Sequence, residues 1–596
     1  MSLQRLRTLG RSLRWLPGVL AAGPNSKRTT ADLIEKRAAR QPDDVFLRFE
    51  GRDVSYADYN AACNRVAHWG LAKGLGKGDV VALLMENRPE YLQVWGGLAK
   101  AGATTALLNT SLSGQALAHV LRASECRALV IGRECLDAWQ SLGIERPTDL
   151  PVYVVDDSDV GTALPPATKS FDQEVSGYSP HDPPRAVRSA LRGADALFYI
   201  YTSGTTGLPK AARFSHARFM GGGTFSLLNG FGRDDVLYCP LPLYHTVGGV
   251  MCVNAVLRSG ATLALRRRFS AKAFWRDICE TGATTFQYIG EICRYLLAQP
   301  ESEWDRGHQV RFCVGNGLRP DVWSAFQERF AIPRISEFYG ATESNVAMLN
   351  LDNRKGSIGK PMPGTKVALV RWDVENDAHV RDADGKLVPC SDDEPGELLG
   401  RISEGPTAAG RFEGYTSRRD SEKKILRDVF EPGDAWFRSG DLLRRDQAGF
   451  YYFVDRLGDT FRWKGENVSS QEVAQAVDAF PGVELSAVYG VEVPGADGRA
   501  GMAGLVLEPG ASFDAQAFCR HATTALPAYA RPAFVRLLPQ AELTGTFKVR
   551  KVELQQQGFD PAATDDALFV RDETGATYVP LCKDIHDRIL AGQYRL

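Results

Sequence analysis

A ten-residue loop rich in hydroxyl groups is the strongest chemical feature of the sequence. It follows the apolar run 197–200 and reads Tyr201-Thr202-Ser203-Gly204-Thr205-Thr206-Gly207-Leu208-Pro209-Lys210. Gly204 and Gly207 permit unusual backbone angles, which let main-chain N–H groups approach an anion closely. Four hydroxyl donors and the Lys210 ammonium supply the hydrogen bonds and the charge that a triphosphate needs. A polar surface loop is the alternative, and it accounts poorly for four hydroxyls between a buried strand and a Pro-Lys pair.

The loop lacks the GxxxxGK[ST] spacing of a Walker A motif. It resembles instead the phosphate loop of the adenylate-forming superfamily, which includes acyl-CoA synthetases, luciferases and the adenylation domains of peptide synthetases. The resemblance runs from about residue 30 to the end of the chain. It implies that ATP is a substrate and that its β- and γ-phosphates contact Thr202, Ser203, Gly204, Thr205, Thr206, Gly207 and Lys210.

A second string, Tyr339-Gly340-Ala341-Thr342-Glu343, resembles the next motif of that superfamily. The resemblance implies that Tyr339 packs on the adenine beside Gly340, that Thr342 contacts a phosphate, and that Glu343 holds Mg²⁺. A hard cation prefers carboxylate and phosphate oxygens, so the assignment is chemically consistent. Taken alone, the string is equally typical of a turn at the end of a strand.

Further positions are assigned by the same resemblance. Gly315, Asn316 and Gly317 would line the adenine and acyl pockets, in what is also a strand-to-helix turn. Asp441 and Arg456 would contact the ribose hydroxyls; singly, each would be an ordinary surface charge. His245 corresponds to the position beside the substrate carboxylate. We do not expect it to act as a base, because a carboxylate is already ionised near pH 7.

The last motif of the superfamily resembles the string Leu543-Thr544-Gly545-Thr546-Phe547-Lys548. This resemblance makes Lys548 a candidate catalytic residue. The other candidate catalytic residues are Lys210, His245 and Thr342. A cation between the attacking and bridging oxygens stabilises the charge that develops at the α-phosphate. The superfamily rotates its small domain between two half-reactions, and the hinge position here is Gly458, a permissive pivot. The resemblance also implies that Gly465 leaves room for the pantetheine arm of CoA.

Several strings are closer to one branch, the fatty acid transport protein and very-long-chain acyl-CoA synthetase family. They are residues 200–212, 243–249, 461–468 and the ending 578–596. This resemblance implies a long- or very-long-chain fatty acid as substrate, with ATP, Mg²⁺ and CoA. The alternatives are transfer to a carrier protein, ligation of a bulky sterol-type acid, and a non-enzymatic lipid-uptake or lipid-binding role. Chain length and oligomeric state are open.

The composition sets outer bounds on these interpretations. A chain of 596 residues is long enough for about two to four domains, and a formal net charge of −1 gives no bias toward nucleic acid. The eleven cysteines show no CxxC pairs, which is typical of a reducing compartment. The expected location is therefore cytoplasmic. Residues 3–20 alternate leucines with arginines at a helical spacing, and this segment could contact the inner face of a membrane or pack on the protein.

The elements that must position these residues alternate between strand and helix signals. Strands are predicted at 45–49, 80–85, 128–131, 152–155, 196–201, 367–371, 396–400, 450–454, 486–493 and 502–507, and helices near 57–72, 89–101, 471–479 and 515–524. Thr30 is predicted to cap a helix that continues to Ala38. Residues 157–193 are predicted to be a polar surface crossover.

The expected fold class is α/β. A large adenylation domain of parallel α/β sheets with a β-rich subdomain is predicted over 29–455, after a basic segment at 1–28. A small mobile α+β lid is predicted over 456–596.

Overall fold

The computed structural model describes residues 23–157, 163–202, 209–373, 376–405, 409–457, 459–463, 466–494, 496, 498–540, 551–572 and 574–596. Two compact units are present. The first comprises residues 1–367, 400–427 and 434–437, and the second comprises residues 368–399, 428–433 and 438–596. The N-terminal segment 3–20, Gly458, Gly465 and Lys548 fall outside the described residues.

The first unit contains a nine-stranded sheet whose central strands are parallel and whose edges are antiparallel. In spatial order its strands are Lys360–Pro361, Ala347–Leu349, Ile335–Gly340, Phe312–Asn316, Thr285–Ile289, Val236–Cys239, Thr262–Leu265, Val45–Phe49 and Arg52–Ser55. The carboxyl ends of neighbouring parallel strands lie at one edge, which is where ligands bind in open α/β sheets.

A seven-stranded sheet, parallel except for its last pair, completes the first unit. In spatial order its strands are Thr168–Ser170, Val152–Val155, Ala128–Gly132, Val80–Leu84, Thr104–Leu107, Ala196–Thr202 and Lys210–Ser215. Val80–Leu84 and Ala128–Gly132 are buried along their whole length, as expected of apolar strands in the middle of a parallel sheet.

Helices connect these strands. In the first unit they are Thr30–Arg40, Tyr56–Ala72, Pro89–Ala101, Gly114–Ser124, Leu136–Gln140, Phe171–Ser176, His216–Gly222, Thr224–Leu228, Val253–Ser259, Phe274–Thr281, Gly290–Leu297, Pro320–Arg329 and Arg418–Glu422, with a π-helix over Thr246–Cys252. Pro89 begins its helix, where a missing N–H costs nothing, and Gly102 ends it with φ 90°. Across the described parts of the chain, none of the helices combines the length and apolar character needed to cross a bilayer.

The second unit contains a five-stranded mixed sheet, in spatial order Val483–Glu492, Arg499–Leu507, Phe534–Leu538, Ala567–Arg571 and Tyr578–Pro580. Its helices are Ser470–Asp478, Ala515–Ala525, Val552–Gln557 and Lys583–Leu590. Short strand pairs are formed by Trp372–Asp373 with Ala378–His379 and by Phe461–Trp463 with Glu466–Val468.

A further set of strands includes Val367–Val370, Gly396–Arg401, Ile425–Arg427, Ala435–Arg445 and Tyr451–Arg456. In the first unit Ile425–Arg427 pairs with residues 435–437, and in the second unit Tyr451–Arg456 pairs antiparallel with residues 441–445.

The predicted strands and helices are confirmed, with ends shifted by a few residues, and so is the α/β class with a large N-terminal and a smaller C-terminal domain. Two details are wrong. Thr29, not Thr30, precedes the first helix: its backbone N–H donates to Asp32 Oδ2 at 2.8 Å, while Thr30 Oγ1 lies 3.0 Å from His216 Nδ1. Residues 157–193 are not only a crossover, because Thr168–Ser170 forms the edge strand of the seven-stranded sheet.

Candidate functional site

The phosphate-loop candidate connects two antiparallel strands, Ala196–Thr202 and Lys210–Ser215, of one β-hairpin. Thr202 ends one strand and lies directly opposite Lys210, which begins the next. Residues 203–208, which carry the other five predicted loop contacts, fall outside the described residues. The Lys210 ammonium is 2.8 Å from Asp420 Oδ1, and this cation holds the pKa of the Asp420 carboxyl below its usual value. The hairpin therefore presents a cation paired with a carboxylate that a phosphate could replace.

A second segment, residues 413–420, is hydrogen bonded to the second strand of this hairpin, Lys210–Ser215. The Glu413 carboxylate accepts from Ser215 N at 2.9 Å and from Ser215 Oγ at 2.5 Å. Arg213 N donates to Gly414 O at 3.0 Å, and Thr416 N donates to Ala211 O at 2.9 Å. These side-chain and backbone hydrogen bonds hold the segment against the strand. They therefore fix the positions of two of its residues, Tyr415 and Asp420, relative to Lys210.

Tyr415 connects the hairpin to the candidate metal ligand. Tyr415 is buried, and its phenol lies near the side chains of both Glu343 and Thr202. Burial raises the pKa of Tyr415, and the nearby Glu343 carboxylate raises it further. The phenol therefore stays protonated and can donate to the carboxylate.

Glu343 fits a magnesium ion. Mg²⁺ is usually held by one or two carboxylates together with substrate phosphates. Among the described residues no group of three or more His, Cys, Asp or Glu side chains is arranged to hold a metal, so a dedicated protein cage is not seen there. Glu343 is a single carboxylate near Tyr415, and the phosphate-loop residue Thr202 is also near Tyr415, which matches the first arrangement.

Thr342 and Arg218 flank Glu343. Thr342 Oγ1 lies 2.8 Å from Thr246 Oγ1, at the start of the π-helix. Arg218 Nη2 donates to Ser344 O at 2.9 Å, while its Nη1 is buried without a hydrogen-bond partner in the part of the chain that the structure describes. Burial lowers the pKa of Arg218, and the charges of Glu413 and Glu343 oppose that change. The Arg218 guanidinium thus lies close to the Glu343 charge.

The predicted Gly315-Asn316-Gly317 stretch ends a parallel strand and begins a turn before the helix Pro320–Arg329. Gly317 has φ 78°, a backbone angle that favours glycine. Asn316 Oδ1 is buried and has no hydrogen-bond partner among the described residues. A buried acceptor left without a donor is costly, so this oxygen is suited to a ligand N–H group.

Tyr339 and Gly340 end the neighbouring strand Ile335–Gly340, and the Tyr339 side chain is 8% exposed. His245 precedes the π-helix; its backbone N–H donates to Pro242 O, and its carbonyl accepts from Gly249 N at 2.8 Å. His245 is half-buried, and its ring lies 5.3 Å from that of Tyr244. All of these residues belong to the first unit.

The two ribose candidates belong to the second unit and face each other. Asp441 and Arg456 are opposite residues of an antiparallel pair, and Arg456 Nε is 3.6 Å from Asp441 Oδ1. The sequence placed them 15 residues apart without indicating that they pair. Strand register therefore brings both predicted ribose contacts to one point.

Two buried carboxylates hold these ribose candidates, and sequence reasoning missed both. Glu397 Oε1 accepts from Gly440 N at 3.1 Å, beside Asp441, and Glu397 Oε2 accepts from Arg438 Nη2 at 3.1 Å and His379 Nε2 at 2.5 Å. Asp455 accepts from Arg456 N at 2.8 Å and from Ser470 N at 2.7 Å.

Lys548 and Gly465 cannot be placed, since they fall outside the described residues. The nearest described lysine, Lys551, lies 3.5 Å from Asp459 Oδ2 and 3.2 Å from Ser470 Oγ. Among residues that the sequence reasoning missed, Tyr415 had the clearest signal. It lies in a Glu-Gly-Tyr string, but nothing in that string indicates its pairing with residue 212.

Comparison with protein families shows the class to which the chain belongs. Residues 34–410 match the model of the AMP-binding enzyme family, and residues 472–548 match its C-terminal domain. The chain belongs to the AMP-binding enzyme family, the adenylate-forming enzymes that the loop at 201–210 resembles.

Several relatives are named for long-chain fatty acids. Mouse long-chain fatty acid transport protein 6 is 39% identical, covering 95% of this chain and 91% of the relative. Human long-chain fatty acid transport protein 1 is 43% identical, covering 95% and 88%. The medium/long-chain-fatty-acid–CoA ligase FadD6 of Mycobacterium tuberculosis is 41% identical, covering 96% and 93%.

Solved structures share the fold. The anthranilate CoA ligase AuaEII, in complex with anthranoyl-AMP, superposes with a TM-score of 0.75 at 22% identity, covering 90% of this chain and 97% of the other. ATP-bound MatB from Rhodopseudomonas palustris superposes with a TM-score of 0.71 at 23% identity, covering 88% and 98%. At this identity the likeness defines the fold alone.

Proposed function

We propose that this enzyme activates a long- or very-long-chain fatty acid with ATP and transfers the acyl group to CoA. The observation that carries the proposal is near full-length similarity, at about 40% identity, to FadD6 and to the long-chain fatty acid transport proteins. The geometry at Lys210, Tyr415 and Glu343 supports it, because it offers a phosphate cation beside a candidate metal ligand.

In the first unit we assign the phosphates to Thr202, Lys210 and the loop between them. ATP would take Lys210 from Asp420, exchanging one anionic partner for another at little electrostatic cost. Glu343, which lies near Tyr415, would bind Mg²⁺, which when bound supplies charge neutralisation to the phosphate oxygens. Tyr339 and the turn 315–317 would hold the adenine, and His245 would lie beside the acid.

In the second unit we assign the ribose hydroxyls to Asp441 and Arg456, and we assign Lys548 to the reacting oxygens. Three features stay predictions. They are the small lid at 456–596, its hinge at Gly458 and the role of Gly465 in binding CoA.

The proposed reaction has two balanced steps. A fatty acid carboxylate oxygen attacks the α-phosphorus of ATP, forming an acyl–phosphate bond as pyrophosphate leaves with the electron pair of the broken P–O bond. The CoA thiolate then attacks the acyl carbon, forming the thioester as AMP leaves. Lys548 acts in the first step, where two anions approach each other.

The direct test is AMP release measured with a panel of carboxylic acids, from short to very long and including a sterol acid. We expect CoA-dependent AMP release to be greatest with long chains. Release with short or sterol acids alone would contradict the fatty acid assignment. Equal release with a carrier protein in place of CoA would favour the carrier alternative.

Lys548→Ala tests the division of labour between the two half-reactions. Removing one preorganised charge partner typically costs about 10²–10³ in rate. We expect loss of acyl-adenylate formation from ATP, with thioester formation from supplied acyl-adenylate largely spared. Lys583→Ala, an exposed lysine of the same unit, is the matched control and should change neither step. Equal loss of both half-reactions in Lys548→Ala would contradict the role of Lys548.

We propose that the enzyme is cytoplasmic and makes peripheral contact with a membrane. The word transport in the names of several relatives and the arginine-rich segment 3–20 support that contact. Replacing Arg5, Arg7, Arg11 and Arg14 by alanine should reduce sedimentation with anionic vesicles, and the wild-type binding should weaken with salt. Unchanged sedimentation of the variant would contradict the proposal.

A further inference from the structure

A buried carboxyl group lies beneath the Gly315-Asn316-Gly317 turn. Glu337 is 2% exposed, and two backbone N–H groups and one hydroxyl group contact its carboxyl oxygens. Gly317 N donates to Oε2 at 3.0 Å, and Leu318 N donates to Oε1 at 3.2 Å. The Tyr288 hydroxyl lies 2.6 Å from Oε1. Two of the three bonds therefore fasten the backbone of the turn itself.

The turn is held on its other side by close packing. A side chain on Gly290, the first residue of the helix Gly290–Leu297, would place its Cβ 1.8 Å from Gly317 O. The backbone of the turn thus lies against a glycine on one side and against a carboxyl group on the other. A shift of the turn away from the carboxyl group would break the hydrogen bonds of Gly317 N and Leu318 N to Glu337.

Strand geometry connects Glu337 with the residues assigned to the adenine. Gly315 and Glu337 are opposite residues of two parallel strands. Glu337 and Tyr339 are two positions apart on one strand, so their side chains point to the same face. Asn316, whose buried Oδ1 has no hydrogen-bond partner among the described residues, stands between Gly315 and Gly317 in the sequence. The carboxyl group therefore supports the turn on the face where Tyr339 lies.

We propose that Glu337 is a positioning residue that presets the Gly317–Leu318 turn for nucleotide binding. The proposal rests on the proposed function, since it assigns the turn to the adenine of ATP. Glu337 does not contact the reacting atoms; it acts through the backbone that carries Asn316. Its loss should consequently weaken nucleotide binding more than it affects the acid.

Glu337→Gln is the informative variant, because it keeps the shape and removes an acceptor. A Gln amide nitrogen cannot accept from Gly317 N or Leu318 N, so at least one buried donor is left unpaired. We expect the Kd for AMP, measured by titration calorimetry, and the KM for ATP to rise about tenfold. The KM for the acid should change less than about twofold from the wild-type value, because the acid site is not altered.

Tyr288→Phe is the matched control. It removes one partner of the same carboxyl group and leaves both backbone bonds in place. Its Kd for AMP should stay within about twofold of wild type. Equal weakening in both variants would mean general destabilisation and would overturn the proposal, as would unchanged AMP binding in Glu337→Gln. A rise confined to the KM of the acid would also overturn it.

Two measurements separate this proposal from the proposed function. If the wild-type protein binds no AMP, both the proposed function and the role of Glu337 are overturned. If the wild-type protein binds AMP and Glu337→Gln binds it with an equal Kd, only the role of Glu337 is overturned. Hydrogen exchange in the wild-type protein does not depend on the variant folding. We expect the amides of Gly317 and Leu318 to be protected before nucleotide is added, and exchange at the rate of an open loop would overturn the proposal.

Discussion

Two buried glutamates, one in each unit, hold the backbone beside predicted nucleotide contacts in the same way. Glu337 accepts from Gly317 N, and Glu397 accepts from Gly440 N; these glycines have φ 78° and 77°. Their other partners differ. Glu337 is surrounded by neutral donors, whereas Glu397 also meets Arg438 and His379. A buried glutamate bonded to a glycine N–H thus has neutral partners in the first unit and an arginine and a histidine as further partners in the second.

The difference appears in the two pKa values. Burial raises the pKa of Glu337 from 4.5 to about 8, and the hydrogen bonds from Tyr288, Leu318 and Gly317 offset only part of that rise. Burial also acts to raise the pKa of Glu397, but the hydrogen bond from His379 and the charge and hydrogen bonds of Arg438 bring it below 4.5. Glu397 is therefore a permanent anion at neutral pH, whereas Glu337 titrates.

The largest expected effect is on stability in the second unit. Glu397→Gln would leave Arg438 and His379 without their anion, and breaking a buried charge pair costs about 3 kcal/mol or more. Glu337→Gln leaves only neutral donors unpaired, at about 1–2 kcal/mol. Urea unfolding of both variants measures the difference. A smaller loss for Glu397→Gln than for Glu337→Gln would break the comparison.

The pH dependence of stability should differ in sign. The folded protein keeps the Glu337 proton between about pH 4.5 and 8 while the unfolded chain releases it, so Glu337 lowers the unfolding free energy as pH rises through that window. Glu397 contributes stability above pH 4.5 that is lost as pH falls below it.

Glu337→Gln isolates the first of these effects. Tyr288, Cys313 and Cys293, which face the same carboxyl group, have pKa values raised by burial and stay neutral across the window. The variant should therefore lose stability relative to wild type mainly at low pH, and the deficit should shrink toward pH 8. A deficit that is constant from pH 5 to 8 would contradict the raised pKa of Glu337.

The smallest expected effect belongs to Tyr288→Phe. It removes one hydrogen bond and leaves an apolar ring of nearly the same shape, so we expect a loss of about 1 kcal/mol in unfolding free energy. Urea unfolding of Tyr288→Phe and Glu337→Gln at the same pH shows which variant loses more unfolding free energy. A larger loss for Tyr288→Phe would mean that the phenol, and not the carboxyl group, holds the turn.

Sequence reasoning succeeded where a signal is local. Apolar runs such as 80–84 and 152–155 identify buried strands by themselves, and the hydroxyl-rich string at 201–210 indicates its own chemistry. It could not show that Leu47 pairs with Leu263, because strand order depends on contacts between distant residues. The assignment of Thr30 as a helix cap failed for a local reason, since either of two adjacent threonines fits the pattern.

The supporting residues of the site were missed for the same reason as the strand order. Glu337 contacts a turn 20 residues earlier in the chain, and Glu397 contacts Gly440, 43 residues later. Each is a glutamate inside a largely buried strand, which is a recognisable anomaly, but only the fold shows which backbone it holds. Tyr415 and Asp420 likewise acquire a role only through the segment that fastens them beside Lys210.

Fatty-acid-dependent exchange of labelled pyrophosphate into ATP tests the central claim most directly, because it reports adenylate formation without CoA. We predict exchange with a long-chain acid such as palmitate, little exchange with acetate, and loss of exchange in Lys548→Ala. Absence of exchange with every acid tested, in a folded protein that binds ATP, would contradict the account and favour a lipid-binding role.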